Sequence, residues 1–169
     1  YFGGFMRGFE KISFAEFTKA FGDDSKLYQE YNLPRRSSKH SAGYDFLAVK
    51  DYVIRPKEIL KIPTGVKARM QGDEVLLIVV RSSMGFKYNV RLTNQVGVID
   101  SDFYNNIDNE GHIFISLQNE GDKDYVINAG EAYAQGIFMK YLLSDDDTAE
   151  GTRIGGLGSS NKRKDDENE

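Results

Sequence analysis

Short apolar runs rich in β-branched and aromatic residues recur along the chain between turn residues, and in several of them apolar and polar positions alternate. Val66, Ala68 and Met70 alternate with Lys67 and Arg69, while Ile113, Ile115 and Leu117 alternate with Phe114, Ser116 and Gln118. A period of two sends successive side chains to opposite faces, so each run reads as a strand with one face buried. The pattern predicts strands over 44–49, 59–62, 66–70, 75–80, 112–117, 125–127 and 134–143, spaced as in an all-β sandwich or barrel. One segment follows another period. Phe14, Phe17 and Phe21 share a helical face, Ser13 and Glu16 form a Ser-x-x-Glu capping box at its start, and Gly22 ends it. The Phe stripe is expected to dock this helix on the body as core.

Composition narrows the picture. Seventeen glycines against three prolines in 169 residues fit an all-β chain. The length suits one domain, which buries about two-thirds of the surface its unfolded form exposes, so no disulfide or metal staple is required. Cysteine is absent, which excludes a thiol nucleophile, a Cys-ligated zinc site and a disulfide framework. A formal net charge of -4 and a pI near 5.3 give no support for a nucleic-acid partner, though a local basic pocket for a small phosphate ligand stays open. No apolar run approaches the roughly 18 residues needed to cross a bilayer, so no membrane span is expected. No basic region with an apolar core marks a signal peptide, and a cytoplasmic location is expected. Residues 1–5, Tyr-Phe-Gly-Gly-Phe ahead of Met6, read as a cloning remnant more than a natural start. A single domain is expected over 6–160. The charged stretch 161–169 cannot bury apolar area and is expected to be a disordered tail.

Five polar or glycine-bearing segments interrupt the β pattern. Ala42-Gly43-Tyr44-Asp45 opens a strand with a lone carboxylate, which in isolation is ordinarily a turn residue or a solvated charge. Arg81-Ser82-Ser83-Met84-Gly85 follows the most apolar strand and offers a guanidinium, two hydroxyls and free N–H groups, suited to phosphate oxygens. It equally fits a short helix with Ser82 or Ser83 capping its first N–H groups. Asn94 to Phe103 reads as a hairpin arm ending in Asp100, Asp102 and an aromatic ring. A carboxylate set against apolar residues can serve as a base, while the plainer reading is an exposed turn. Gly130-Glu131-Ala132-Tyr133-Ala134-Gln135 is a turn leading into a strand with one amide that could face a ligand. Last, Arg153-Ile154-Gly155-Gly156-Leu157-Gly158-Ser159-Ser160 joins an Arg to a flexible loop whose backbone can approach phosphates closely, without the spacing of a Walker A loop.

Taken in order, the five segments resemble the five ordered motifs of the trimeric dUTPase family, across about 70% of the chain from Ala42 to Ser160, and Leu33-Pro34-Arg35-Arg36 is similar to the family's approach to the first motif. The resemblance implies a dUTPase-like β-barrel or jelly roll, with the N-terminal helix inserted after the first strand. It also implies a homotrimer with a swapped C-terminal arm, 153–160, and shared active sites. The implied reaction is hydrolysis of dUTP to dUMP and pyrophosphate. On that resemblance Asp100 activates the attacking water. Mg2+ rides on the substrate phosphates with Asp45 reaching its water shell. Arg81, Ser82, Ser83, Gln135, Arg153, Gly158, Ser159 and Ser160 surround the phosphate chain, Asn94, Gly97, Val98 and Ile99 present the hairpin to uracil, and Phe103 lies under deoxyribose. The family's usual Tyr is Phe103 here, which keeps the steric gate against a 2′-hydroxyl and loses a hydroxyl contact. Leu157 stands where the family has the aromatic lid over uracil, so a smaller apolar lid, or a ring from His112 or Phe114 after the apparent insertion 106–110, takes that place; Phe114 reads equally as a strand aromatic in the core. His40, in a Ser-rich loop, reads as a surface residue.

Two other readings compete. A dCTP deaminase shares the fold and the Arg-Ser-Ser turn, but needs a Glu where this chain has Ser116, and Ser is no general base near neutral pH. A catalytically dead dUTPase-like regulatory binding protein would not need Asp100, Arg81, Ser82, Gln135 and Arg153, all of which are present.

Overall fold

The computed structural model describes residues 6–156, so the expected remnant 1–5, the arm positions Leu157, Gly158, Ser159 and Ser160, and the tail 161–169 lie outside the described residues. Eleven strands are named within that range. They are β1 (Gly8–Lys11), β2 (Tyr44–Leu47), β3 (Tyr52–Ile54), β4 (Ile59–Pro63), β5 (Val66–Arg69), β6 (Glu74–Val79), β7 (Val90–Leu92), β8 (Gly97–Asp100), β9 (Phe114–Asn119), β10 (Tyr125–Ile127) and β11 (Ala132–Lys140). Every pairing is antiparallel: a four-stranded sheet β2-β11-β6-β8, a three-stranded sheet β4-β9-β7, and the pairs β1-β5 and β10-β3. The all-β expectation holds; among the described residues these are separate open sheets packed on one core, with no hydrogen-bonded ring closing a barrel.

That core is where the alternation points. Phe46, Leu76, Ile78 and Ala134 from the larger sheet meet Ile62, Ile115, Leu117, Val90 and Leu92 from the smaller one in a single buried cluster. Each of these buried side chains larger than alanine stabilises the fold by roughly 1.5–3 kcal/mol. Ile113, Ile115 and Leu117 are buried as the alternation predicts, and Phe114, Ser116 and Gln118 face outward or to half-buried positions.

Three helices punctuate the sheets: α1 (Phe14–Phe21), α2 (Ser25–Glu30) and α3 (Ser82–Tyr88). Helix α1 follows β1 and ends at Gly22, as the sequence implied. Of its Phe stripe, Phe17 is core of a second cluster, buried with Ile12, Tyr31 and Val49 against Phe21, Leu27 and Tyr28, whereas Phe14 is exposed at the edge. The capping box is only half as expected. Ser13 Oγ accepts the Glu16 N–H at 3.2 Å, but the carboxylate that takes up Ser13 N–H belongs to Glu110, which also accepts the Ser13 hydroxyl at 2.7 Å. A long-range partner displaces the local one because Glu16 turns inward instead. The short helix α2, capped by Asp24 through the Leu27 N–H at 2.9 Å, and strands β3 and β7 carried too few residues for periodicity to reveal them.

Candidate active site

A pocket of about 470 Å³ opens beside the turn joining β7 to β8, lined in part by Asn94, Gly97, Val98, Ile99, Asp100 and Phe103; the two strands do not pair as the expected hairpin, since β7 bonds to β9 and β8 to β6 in different sheets. Strand β8 brings these residues together because it pairs with β6 in a register that sets Gly97 opposite Ile78 and Asp100 opposite Val75. The turn is tight: Gln95 has a positive φ of 66°, and Val96 N–H donates to Asn94 C=O at 2.7 Å. Apolar walls come from Ile78, Leu92, Ile113 and Ile115. Ser116 also lines the pocket, its hydroxyl 2.8 Å from that of Thr93. A few polar groups on apolar walls is the usual make-up of a small-molecule site.

Phe103 sits at the end of the 3-10 turn Ser101–Phe103 and is held by the loop after it. The buried Asn106 amide donates to Phe103 C=O at 2.8 Å and to Asn109 Oδ1 at 2.9 Å, while its oxygen accepts the N–H groups of Asp108 and Asn109 at 3.0 and 3.1 Å. The apparent insertion 106–110 is thus a fully bonded turn that fixes the ring's backbone. Gly156 lies flat against that ring; a Cβ there would come within 2.8 Å of Phe103 Cε2. The glycine after Arg153 is needed for the arm to settle on Phe103.

Arg153 itself reaches the two carboxylates of the same chain. Its Nη2 donates to Asp100 Oδ2 and its Nε to Asp102 Oδ1, both at 2.6 Å, and Nη1 donates to Gly155 C=O at 3.2 Å. A guanidinium forked over two carboxylates is a strong, geometrically specific contact.

The two candidates for a replacement lid part company here. His112 is fully buried and its Nε2 accepts the Gly65 N–H at 3.0 Å, so it is wall rather than lid. Burial lowers its pKa from the ordinary value, against the pull of Glu16. Phe114 is 37% exposed, packs on the His112 ring with centroids 4.4 Å apart, and has Lys61 Nζ 4.7 Å from its own centroid. It faces the pocket and not the core. His40 is exposed, as read from the sequence.

The other motif residues gather elsewhere. Asp45 on β2 pairs in register with Gln135 on β11, and its carboxylate lies 3.3 Å from Arg81 Nε. Gln135 Nε2 donates to Val80 C=O at 3.2 Å, beside Arg81. Ser82 and Ser83 begin helix α3, which confirms a short helix there, yet Arg81 is its N-cap and no side chain caps it. Within the described residues both serine hydroxyls are exposed and free of side-chain bonds. Arg81 also lines a shallow cleft with Tyr88, Tyr125 and Glu131.

The two groups stand at opposite ends of β6. Asp100 is opposite Val75, and Arg81 lies six residues further along, about 20 Å at about 3.3 Å per residue. One chain therefore holds a pocket with its carboxylate and a polar phosphate-type cluster, but does not bring them together. Lys61, Thr93, Asp108 and Asn109 also line the pocket without having been singled out, since each comes from an element whose sequence signals only strand or turn.

A nucleotide-sized pocket bounded by the β7-to-β8 turn and strand β8, next to an acidic pair and an Arg-bearing glycine arm, defines a nucleotide-handling enzyme of the all-β class. The dUTPase family model matches residues 29–161. The chain is 49% identical over 131 residues to the deoxyuridine 5'-triphosphate nucleotidohydrolase of Lactococcus lactis, covering 76% of this chain and 87% of that protein. It is similar to the crystal structure of dUTPase from Streptococcus mutans, at TM-score 0.67 and 43% identity over 82% of this chain and 99% of that one. The dUTPase of phage phi11 of S. aureus, whose structure coordinates a structural Mg(II) ion, shares the fold at TM-score 0.63 and 19% identity, over 86% and 97% of the two chains. The chain belongs to the dUTPase family, enzymes that hydrolyse deoxyuridine triphosphate.

Proposed function

We propose that this chain hydrolyses dUTP to dUMP and pyrophosphate with Asp100 as the general base. A water held by the Asp100 carboxylate attacks the α-phosphorus, the bond from that phosphorus to the bridging oxygen breaks, pyrophosphate leaves, and Asp100 takes the water's proton. The observation that carries this reading is the position of Asp100 on the rim of the pocket, gripped by Arg153 of the arm. The Arg153 guanidinium pairs with the base. A triphosphate presents more negative charge than two carboxylates, so Arg153 moves to the phosphates and releases Asp100. Uracil enters against Asn94 and the backbone of Gly97 to Ile99, with deoxyribose on Phe103. Asn94 and that backbone read its edge, and a mismatched base leaves buried polar groups unpaired. Phe114 is the ring best placed to cover the base in place of an aromatic residue at Leu157. Ser116, engaged with Thr93, offers no proton shuttle for deamination.

Arg81, Ser82, Ser83 and Gln135, with Gly158, Ser159 and Ser160 of the arm, hold the phosphate chain. Asp45 suits a Mg2+ carried by the substrate: it is one half-buried carboxylate beside a guanidinium, and among the described residues no cluster of three His, Cys, Asp or Glu forms a protein cage for a metal. Asp45 would reach that ion through water, and when bound the ion would withdraw charge from the leaving pyrophosphate.

The separation of about 20 Å along β6 exceeds the reach of one triphosphate, so a working site takes Asp100 from one copy and the Arg81 cluster from another. A homotrimer meets this need with three equivalent sites. The segment 141–152 is exposed throughout, which leaves the arm free to make its Asp100 contact on a neighbouring copy. The test is a nucleotide screen with Mg2+, following pyrophosphate from dUTP, dCTP, dTTP and UTP. Turnover of dUTP alone is expected; ammonia release from dCTP, or comparable rates with UTP, would sink the reading.

A further inference from the structure

Helix α1 lies outside the residues matched by the family model, yet it is tied to the back of the pocket at three points, two through its own Ser13 cap and Glu16 and one through Tyr31, whose ring stacks on Phe17 of the helix with centroids 5.6 Å apart. Glu110, from the loop that fixes Phe103, accepts the Ser13 hydroxyl and N–H at the helix start. The Tyr31 hydroxyl donates to Gly65 C=O at 2.6 Å, and the N–H of the same glycine donates to His112 Nε2 at 3.0 Å. Gly65 has φ 74°, and a Cβ there would come within 3.0 Å of the Tyr31 ring, so only glycine fits this junction. The third point is Glu16, whose Oε1 lies 3.6 Å from His112 Nδ1.

The protonation of the ring follows from these contacts. Nε2 accepts a hydrogen bond and so carries no proton, which puts the proton of the neutral imidazole on Nδ1. That N–H makes no hydrogen bond and faces the Glu16 carboxylate from a side chain with no solvent exposure. At 3.6 Å the attraction is between a charge and an N–H dipole, in surroundings where water screens it little. Lys19 pairs with the other Glu16 oxygen at 3.0 Å, and Lys67 with Glu110 at 3.4 Å. On its other side the imidazole packs against Phe114, and both rings line the pocket.

We infer that Glu16 is a positioning residue for the nucleobase pocket: it holds the His112 imidazole between Gly65 and Phe114, so that the pocket keeps one shape before nucleotide arrives. Helix α1 thereby serves the site without touching substrate. This rests on the reading of the cavity as the uracil site.

Steady-state kinetics with dUTP test it, run well below each variant's unfolding midpoint. Glu16→Leu removes the acceptor and should raise KM about fivefold while leaving kcat within about twofold, since Asp100 and the phosphate cluster are untouched. Glu16→Gln, which can still present an oxygen to Nδ1, should restore most of the affinity. Phe14→Ala weakens the same helix without touching His112, and should lower Tm with KM unchanged. A wild-type KM in Glu16→Leu, or an equal rise in Phe14→Ala, overturns the inference. Should Glu16→Leu not fold, Glu16→Ala is measured in the same way: a comparable rise in KM is expected, and a wild-type KM overturns the inference. Wild-type protein inert towards dUTP would instead strike the reading of the pocket itself.

Discussion

Gly43 is buried just ahead of β2, and an alanine methyl group there would lie 2.1 Å from Oε1, 2.9 Å from Cδ and 3.1 Å from Cβ of Gln135. Because the clash is with the far end of a flexible side chain, the Gln135 amide should swing away while the strand stays in place. The cost to stability is the bond to Val80 C=O, about 1 kcal/mol. It is offset by about 0.4–1 kcal/mol from the reduced freedom of the unfolded chain when glycine becomes alanine. The unfolding midpoint of Gly43→Ala should therefore stay close to that of the wild type. The cost to activity is different in kind, since the displaced amide would lose a hydrogen bond to a charged phosphate oxygen. Such a bond contributes about 1.5–3 kcal/mol, or roughly 10- to 150-fold in kcat/KM for dUTP. Parallel denaturant melts and initial-rate assays separate the two effects, and Gln135→Ala supplies the comparison. The double variant should be no worse than the poorer single one, because both remove the same contact. Activity within about threefold of wild type in Gly43→Ala, at unchanged stability, would refute a phosphate role for Gln135.

Asp100→Asn should bind nucleotide and lose at least roughly 100-fold in kcat, as the amide can hold the water but cannot take its proton; a near-wild-type rate assigns the base elsewhere. Asp100→Asn with its arm intact and a chain ending at Thr152 should each be inactive, yet recover activity as mixed trimers; mixed trimers shown to form and remaining dead would contradict a shared site. If Phe114 is the lid, Phe114→Ala should raise KM for dUTP more than Leu157→Ala does, and the reverse order returns the lid to the arm. His112 has a folded-state pKa below its ordinary value of 6.5, so the unfolded chain binds the proton first. Its contribution is then full above about pH 6.5 and is lost as pH falls below it towards the lower folded pKa. Denaturant midpoints between about pH 7.5 and about pH 5.5 should accordingly fall more in the wild type than in His112→Gln, and identical slopes count against the buried neutral ring.

The strands that alternate cleanly, such as Val66 to Arg69 and the stretch around Ile115, were readable because one-sided burial imposes a period of two on the chain itself. The motif residues were readable too, because their chemistry survives in any conformation: Asp100 and Arg81 are charged groups set where an apolar strand ends, and Gln135 is a lone amide within one. Local pattern could not tell where those groups go relative to one another. Asp100 and Arg81 are 19 positions apart in sequence yet face opposite ends of β6, a consequence of the β6-β8 register, which only hydrogen bonding between the two strands sets. Nor could it tell that Glu110, 97 residues away, would take the place of Glu16 at the start of α1, or that Glu16 would turn to a buried His112. A Ser-x-x-Glu spacing records only what lies within one helical turn, and the side chain goes to whichever partner the packed core leaves unpaired. Residue type and period are properties of the chain alone. The partner of a buried charge is decided by what else is buried with it, and that exists only once the sheets have packed.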